Sequence, residues 1–90
     1  MIKTYKRAAT FVHVATSDDQ SENRIILPIA SGSAPTNDFY FVGQIRRSNG
    51  VDITNGFDFV YTSGTGYMTI SGSTAINEGD VVTIMGAWTN

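Results

Sequence analysis

Cysteine is absent from this 90-residue chain, so neither a disulfide framework nor a thiolate metal site contributes to its fold. Charge is scarce as well. Six Lys and Arg stand against eight Asp and Glu, a formal net charge of -2, and charged residues make up 16% of the chain against roughly 25% in an average globular protein. That balance gives no electrostatic reason to expect nucleic acid or an anionic membrane as the main partner. One histidine means that a catalytic triad or a multi-histidine metal site within a single chain would have to be built around His13 alone. No apolar run approaches the ~20 residues of a membrane span. The opening Met1-Ile2-Lys3-Thr4-Tyr5-Lys6-Arg7 is basic but precedes no apolar core of signal length, so a secretory leader is not expected. An apolar period of 3.6 residues is missing throughout, which leaves no candidate for a long helix.

What remains is rich in Thr, Ser, Asn, Gly, β-branched and aromatic residues, the composition of an all-β domain with a neutral polar surface. Its length suits one domain, burying ~60–65% of its unfolded surface. Ile76-Asn77-Glu78-Gly79-Asp80 turns the chain into Val81-Val82-Thr83-Ile84-Met85-Gly86-Ala87-Trp88, a strand with Val81, Thr83, Met85 and Ala87 on one face and Val82, Ile84, Gly86 and Trp88 on the other. Neither face is polar. A strand of that kind is expected to be covered on both sides, and a body of this size has few layers to do so, which points to a second subunit.

Other segments follow the same two-residue period. Ala9 to Thr16 places Phe11, His13 and Ala15 opposite Val12 and Val14. Asp38 to Arg47 places Phe39, Phe41, Gly43 and Ile45 opposite Tyr40, Val42, Gln44 and Arg46, again apolar on both sides in its first half. Between them, Ser17 to Asn23 is a solvated loop with room for one short helical turn, Ser17 and Gln20 having capping-box spacing. Arg24 to Ala30 is a strand interrupted by Pro28, which suggests an edge or the end of pairing. Asn49-Gly50 and Asn55-Gly56 are tight-turn dipeptides that bracket a short strand, Val51-Asp52-Ile53. Phe57 to Ser63 and Tyr67 to Ser71 alternate, with turns at Ser63-Gly64-Thr65-Gly66 and Gly72-Ser73. The expected architecture is a single all-β domain, residues 9–90, of seven to eight short antiparallel strands in a sandwich, jelly roll or small barrel, preceded by an arm or edge strand over residues 1–8.

Candidate chemistry is thin. His13, flanked by Phe11 and Ala15, reads as a half-buried histidine bonded to backbone. Asp18, Asp19 and Glu22 lack the alternating acids and fixed glycine of a calcium loop. Asp52 and Asp58 flank the Asn-Gly turns, but nothing in the sequence puts them in one cleft, as glycoside hydrolysis would need. Gly64-Thr65-Gly66 has no lysine and no helix after it, so it is no phosphate loop. No catalytic residue, cofactor or metal is assigned, and the chain is not expected to be an enzyme. Lys3, Lys6 and Arg7 form a small basic cluster that, with Arg46 and Arg47, would suit an acidic protein surface. Four Tyr, five Phe and one Trp suffice for an interface anchor or a sugar-stacking platform.

The Gly-Asp turn into Val-Val-Thr-Ile with its closing small-aromatic pair, preceded by Tyr67-Met68-Thr69-Ile70-Ser71-Gly72, resembles the last strands of small all-β phage virion proteins. These are the capsid decoration (cement) proteins and the trimeric heads of phage fibres. The resemblance covers residues 38 to 90 and rests on patterning; the missing repeat shaft favours decoration over fibre. It implies a non-enzymatic homo-oligomer, a trimer by preference, on the outer surface of a virion capsid and bound to the major capsid protein. Phe39, Phe41, Val82, Ile84 and Trp88 are then the expected oligomer interface, and Lys3, Lys6 and Arg7 the expected capsid-binding arm. A glycan-binding or receptor-binding module of a phage fibre is the alternative.

Overall fold

In the computed structural model, residues 4–29, 32–36 and 38–90 are described. Among them are seven strands and one short helix: β1 (Arg7–Val14), α1 (Ser17–Glu22), β2 (Arg24–Ile26), β3 (Tyr40–Arg46), β4 (Asp52–Ile53), β5 (Phe57–Thr62), β6 (Tyr67–Gly72) and β7 (Val81–Trp88). They form two antiparallel sheets, one ordered β1-β7-β3-β4 and the other β2-β6-β5. The all-β expectation holds, and the arrangement is a sandwich of two sheets.

The alternation of each strand sends its larger apolar residues between the sheets. Ile45, Val82 and Ile84 from the first sheet meet Ile25, Met68 and Ile70 from the second, each at most 1% exposed, and Leu27 and Ile76 close the same cluster from the connections. Glycine makes room for rings in this core. A Cβ on Gly43 would run into the Phe59 ring of the other sheet, and one on Gly86 would run into the ring of Phe39, the residue just before the neighbouring strand β3. Each missing side chain is therefore the socket of an aromatic knob.

Polar ties hold the connections. Asp80, 1% exposed, accepts from Arg47 Nη1 at 2.5 Å and from the Asn77 N–H at 2.8 Å, while Arg47 Nη1 also donates to the Ala75 carbonyl at 3.0 Å. This ion pair pins the turn before β7 to the end of β3. Asn23 ends α1 in the left-handed region (φ 52°), and its side chain donates to the Ile70 carbonyl and accepts from the Ile76 N–H. The segment 17–23 is more ordered than a loop. Thr16, one residue before the predicted cap, is the N-cap, and Asp19 completes its capping box. The strand expected to run from Arg24 to Ala30 pairs over three residues only. Leu27 still donates to Gly66 O at 2.8 Å, Pro28 then lacks the donor to continue, and Ala30 falls outside the described residues.

Candidate interaction surface

The register of the first sheet stacks its outward side chains in rows across three strands. Thr10, Met85 and Val42 form one row; Val12, Thr83 and Gln44 the next; Ala8, Ala87 and Tyr40 lie at one end, and Val14, Val81 and Arg46 at the other. The apolar members stand in the open: Val12 is 66% exposed, Val14 58%, Tyr40 66%, Val42 49% and Met85 46%. Arg46 carries the one charge among these twelve positions, and its Nε donates to Asp52 Oδ1 at 2.7 Å; that bond raises the guanidinium pKa above its ordinary value. Three strands about 4.8 Å apart and seven to eight residues long make a surface of roughly 14 by 24 Å. With side-chain relief, that is on the order of 500–700 Å² of accessible area, as large as the biggest apolar patch of an ordinary monomer and near the low end of a specific interface.

The five residues expected at the oligomer interface lie on the opposite side of these strands. Val82 and Ile84 are 0% exposed inside the chain's own core, and Phe39 and Phe41 pack against that core. Trp88 is 4% exposed; its indole N–H donates to the Ser33 carbonyl at 3.2 Å, and its ring lies 5.7 Å from Phe39 and 6.3 Å from Phe11. The physical reason is volume. Gly86 shares a face with Val82, Ile84 and Trp88, and the space its missing side chain leaves on that face is taken by the Phe39 ring. The expectation of a strand apolar on both sides survives with the faces exchanged: Met85, with Val42 and Tyr40 beside it, looks outward. Trp88 is thereby unavailable as a stacking platform for a sugar.

Of the basic arm, Lys3 lies outside the described residues, while Lys6 and Arg7 are exposed. The Lys6 N–H donates to Trp88 O at 3.0 Å and Arg7 Nε to Asn90 O at 2.9 Å, so this part of the arm runs beside the chain's last residues. Arg46 and Arg47 do not join it, because both are engaged with Asp52 and Asp80.

His13 is half-buried as expected, but its partner is a carboxylate: Nε2 donates to Asp19 Oδ2 at 2.6 Å. Burial by itself would push the Asp19 carboxyl up. Hydrogen bonds from the Thr16 N–H, the His13 ring and the Thr16 hydroxyl, with the charge of His13, outweigh it and hold that carboxyl below its ordinary value. Asp18 and Glu22 are exposed on α1, and no group of three metal-ligating side chains occurs among the described residues. Asp52 and Asp58 are not brought together: Asp52 sits on β4 beside Arg46, and Asp58 points outward from β5 in the other sheet. An open groove of about 330 Å³ runs past Gly43, Ile45, Asp52, Ile53, Thr54 and Phe57, where the chain crosses between sheets. Its one carboxylate is the Asp52 already paired with Arg46. The exposed row of Met85 and its neighbours was within reach of the sequence, since the strand pattern placed Val81, Thr83, Met85 and Ala87 together; what was missing was the sense of the face.

Comparison with protein-family models, with curated proteins and with solved structures found no match to this chain.

Proposed function

We propose that this protein is a non-enzymatic assembly protein, a decoration component on the outer surface of a phage capsid. It works as a homo-oligomer whose copies meet through the outer face of the β1-β7-β3 sheet. The observation that carries the assembly reading is that face itself: twelve outward positions over three strands with one charge, and Val12, Val14, Tyr40, Val42 and Met85 all at least 46% exposed. Burying such a surface against a copy of itself removes apolar area from water on both sides at once, with little polar desolvation to offset it. The capsid part of the reading is supported by the patterning of residues 38 to 90 and by the exposed basic pair Lys6 and Arg7 at the start of β1.

The proposed action is mass action. A protein that binds the assembled lattice and not its free subunits stabilises the lattice by its own binding free energy, and joining several copies raises the effective concentration of each. Sedimentation velocity at micromolar concentration tests the first step, with an oligomer as the expected result; a stable monomer removes the assembly reading. Co-sedimentation with capsids built from the major capsid protein of the same genome tests the second. An oligomer that ignores those capsids keeps the assembly and overturns the decoration.

A further inference from the structure

We propose that the edge of β1, which no other described strand pairs, accepts β1 of a second copy, antiparallel and about a two-fold axis, so that two four-stranded sheets become one of eight strands. The inference rests on the reading of this chain as self-associating and adds to it a second contact and a symmetry.

A sheet edge presents a row of unpaired N–H and C=O groups, and proteins that remain single blunt their edges by shortness, charge or proline. Three of the four edges here are blunted. β4 is two residues long and carries the Arg46–Asp52 ion pair; β2 is three residues long and is followed by Pro28; β5 carries Asp58. β1 is different. It is an edge strand of eight residues with its only charged residue at the first position and no proline.

Hydrogen bonds at both ends of the sheet tell which amides are free. The Ala15 N–H donates to Asp80 O at 2.8 Å, one step beyond the last β1–β7 pair, Val14 with Val81. Antiparallel bonds recur at every second residue. From Arg7 to Ala15 the odd-numbered residues therefore bond β7, the Lys6 N–H reaching Trp88 O one residue out of step before the ladder begins, and Ala8, Thr10, Val12 and Val14 direct their amides and carbonyls away from it. The far side of the sheet gives the same parity. The Arg47 N–H donates to Val51 O at 2.8 Å, which turns the odd residues of β3 toward β4 and the even ones toward β7; the registers then turn the even residues of β7 toward β1.

A second copy satisfies this edge completely. A two-fold axis through Phe11 sets Ala8 opposite Val14 of the partner subunit and Thr10 opposite Val12 of the partner subunit. All four outward residues are then paired, with on the order of eight hydrogen bonds. Opposed residues fall on the same side of the joint sheet, as antiparallel pairing requires. Between residues 8 and 14 the one titratable side chain is His13, and it already bonds Asp19 within its own chain. The operation also lays the two apolar outer faces side by side as one surface, which brings a face near the low end of interface sizes into the ordinary range.

The chain lacks cysteine, which makes the register directly readable. Thr10→Cys and Val12→Cys chains are mixed and mildly oxidised. Paired residues lie with Cα atoms about 5.5 Å apart, within disulfide reach, so in an equal mixture the mixed disulfide should exceed each self-pair by well more than the roughly two-fold that random pairing gives. An excess no larger than that, or no disulfide, overturns the proposal. In parallel, Val12→Pro removes one outward N–H, leaves the β7 ladder whole and should halve the sedimenting mass with the circular dichroism of the fold retained; unchanged mass overturns the edge pairing. An odd number of chains in the wild-type assembly, including the three that the resemblance implies, overturns it too. Met85→Lys, in the middle of the outer face, separates the two contacts. If it lowers the mass while the mixed disulfide never forms, the face contact stands and the edge pairing falls; if the disulfide forms and Met85→Lys changes nothing, the face contact falls and the edge pairing stands.

Discussion

The two sheets turn very different surfaces to the outside. The outer side of β1-β7-β3 shows Val12, Val14, Val42, Met85 and Tyr40 in adjoining rows, with the single charge of Arg46 at a corner. The outer side of β2-β6-β5 shows Asp58 beside Ser71, Val60 beside Thr69 and Arg24, and Thr62 beside Tyr67 and Ile26. There the guanidinium of Arg24 lies 4.3 Å from the centre of the Tyr67 ring and covers it. Both sheets contribute to one core, and both carry their outward residues on the same two-residue period. The contrast therefore does not come from folding, which the inner faces drive. It accords with the proposal that a copy covers the first sheet, while on the second the exposed Ile26 and Val60 stand among Asp58, Ser71, Thr69, Thr62 and Arg24.

The harshest way to erase the contrast is to remove the frame that both faces share. Asp80→Ala leaves the Arg47 guanidinium without its carboxylate and the Asn77 N–H without an acceptor, at a site where Asp80 itself is 1% exposed. Removing one partner of a buried pair costs about 3 kcal/mol or more, toward the lower end here because Arg47 retains 23% exposure. Urea unfolding should show a lower midpoint with an unchanged slope.

A more selective test places one charge on each face. Met85→Lys puts an ammonium at the centre of the apolar rows and should weaken assembly by about 2–4 kcal/mol, since the charge would be buried without a partner. Thr69→Lys adds the same charge to the other sheet and should leave the sedimenting mass unchanged. For both variants the stability of the single chain should stay within about 1 kcal/mol of the parent. Equal effects on mass would mean that the faces do not differ in function.

Much of this body is legible in the sequence, because a strand that alternates declares its two faces. The split of Phe11, His13 and Ala15 from Val12 and Val14, and of Phe39, Phe41 and Ile45 from Tyr40 and Val42, is what the structure shows. In β7 the alternation still sorts the residues but cannot say which set goes inside, because both sets are apolar. The distinguishing signal was Gly86, together with Gly43 on β3: a glycine among large apolar residues marks the face that must receive a ring. The partners of Asp80 and His13 were beyond reach for another reason. Arg47 lies 33 positions before Asp80, and the Asp19 that bonds His13 reaches it only because Thr16 caps α1 and turns the chain back.

That cap gives a smaller effect with a defined pH dependence. Folding lowers the Asp19 pKa, so the native state favours the ionised form, and the stabilisation is present at neutral pH. It should be lost as pH falls below about 4, the ordinary aspartate value, and through the lowered native one. Asp19→Asn should cost about 1 kcal/mol at pH 7 and flatten the acid limb of stability against pH. Because His13 stands at the end of β1 nearest α1, the loss should also raise amide exchange there before it appears in β3.

The mildest intervention bears on the polar face alone. Arg24→Ala uncovers the Tyr67 ring and leaves Val60, Tyr67 and Ile26 as neighbours with no charge between them. A cation held over an exposed ring contributes about 0.5–1 kcal/mol, so thermal unfolding should shift by only a few degrees. The mass in sedimentation should not change, because these three side chains span only two rows on strands of three and six residues, whereas Val14, Val12, Met85, Val42 and Tyr40 run through all four rows of the first sheet. A higher mass for this variant would mean that a single uncovered aromatic is enough to recruit a partner, and the distinction between the sheets would then lie in Arg24 rather than in the breadth of the apolar surface.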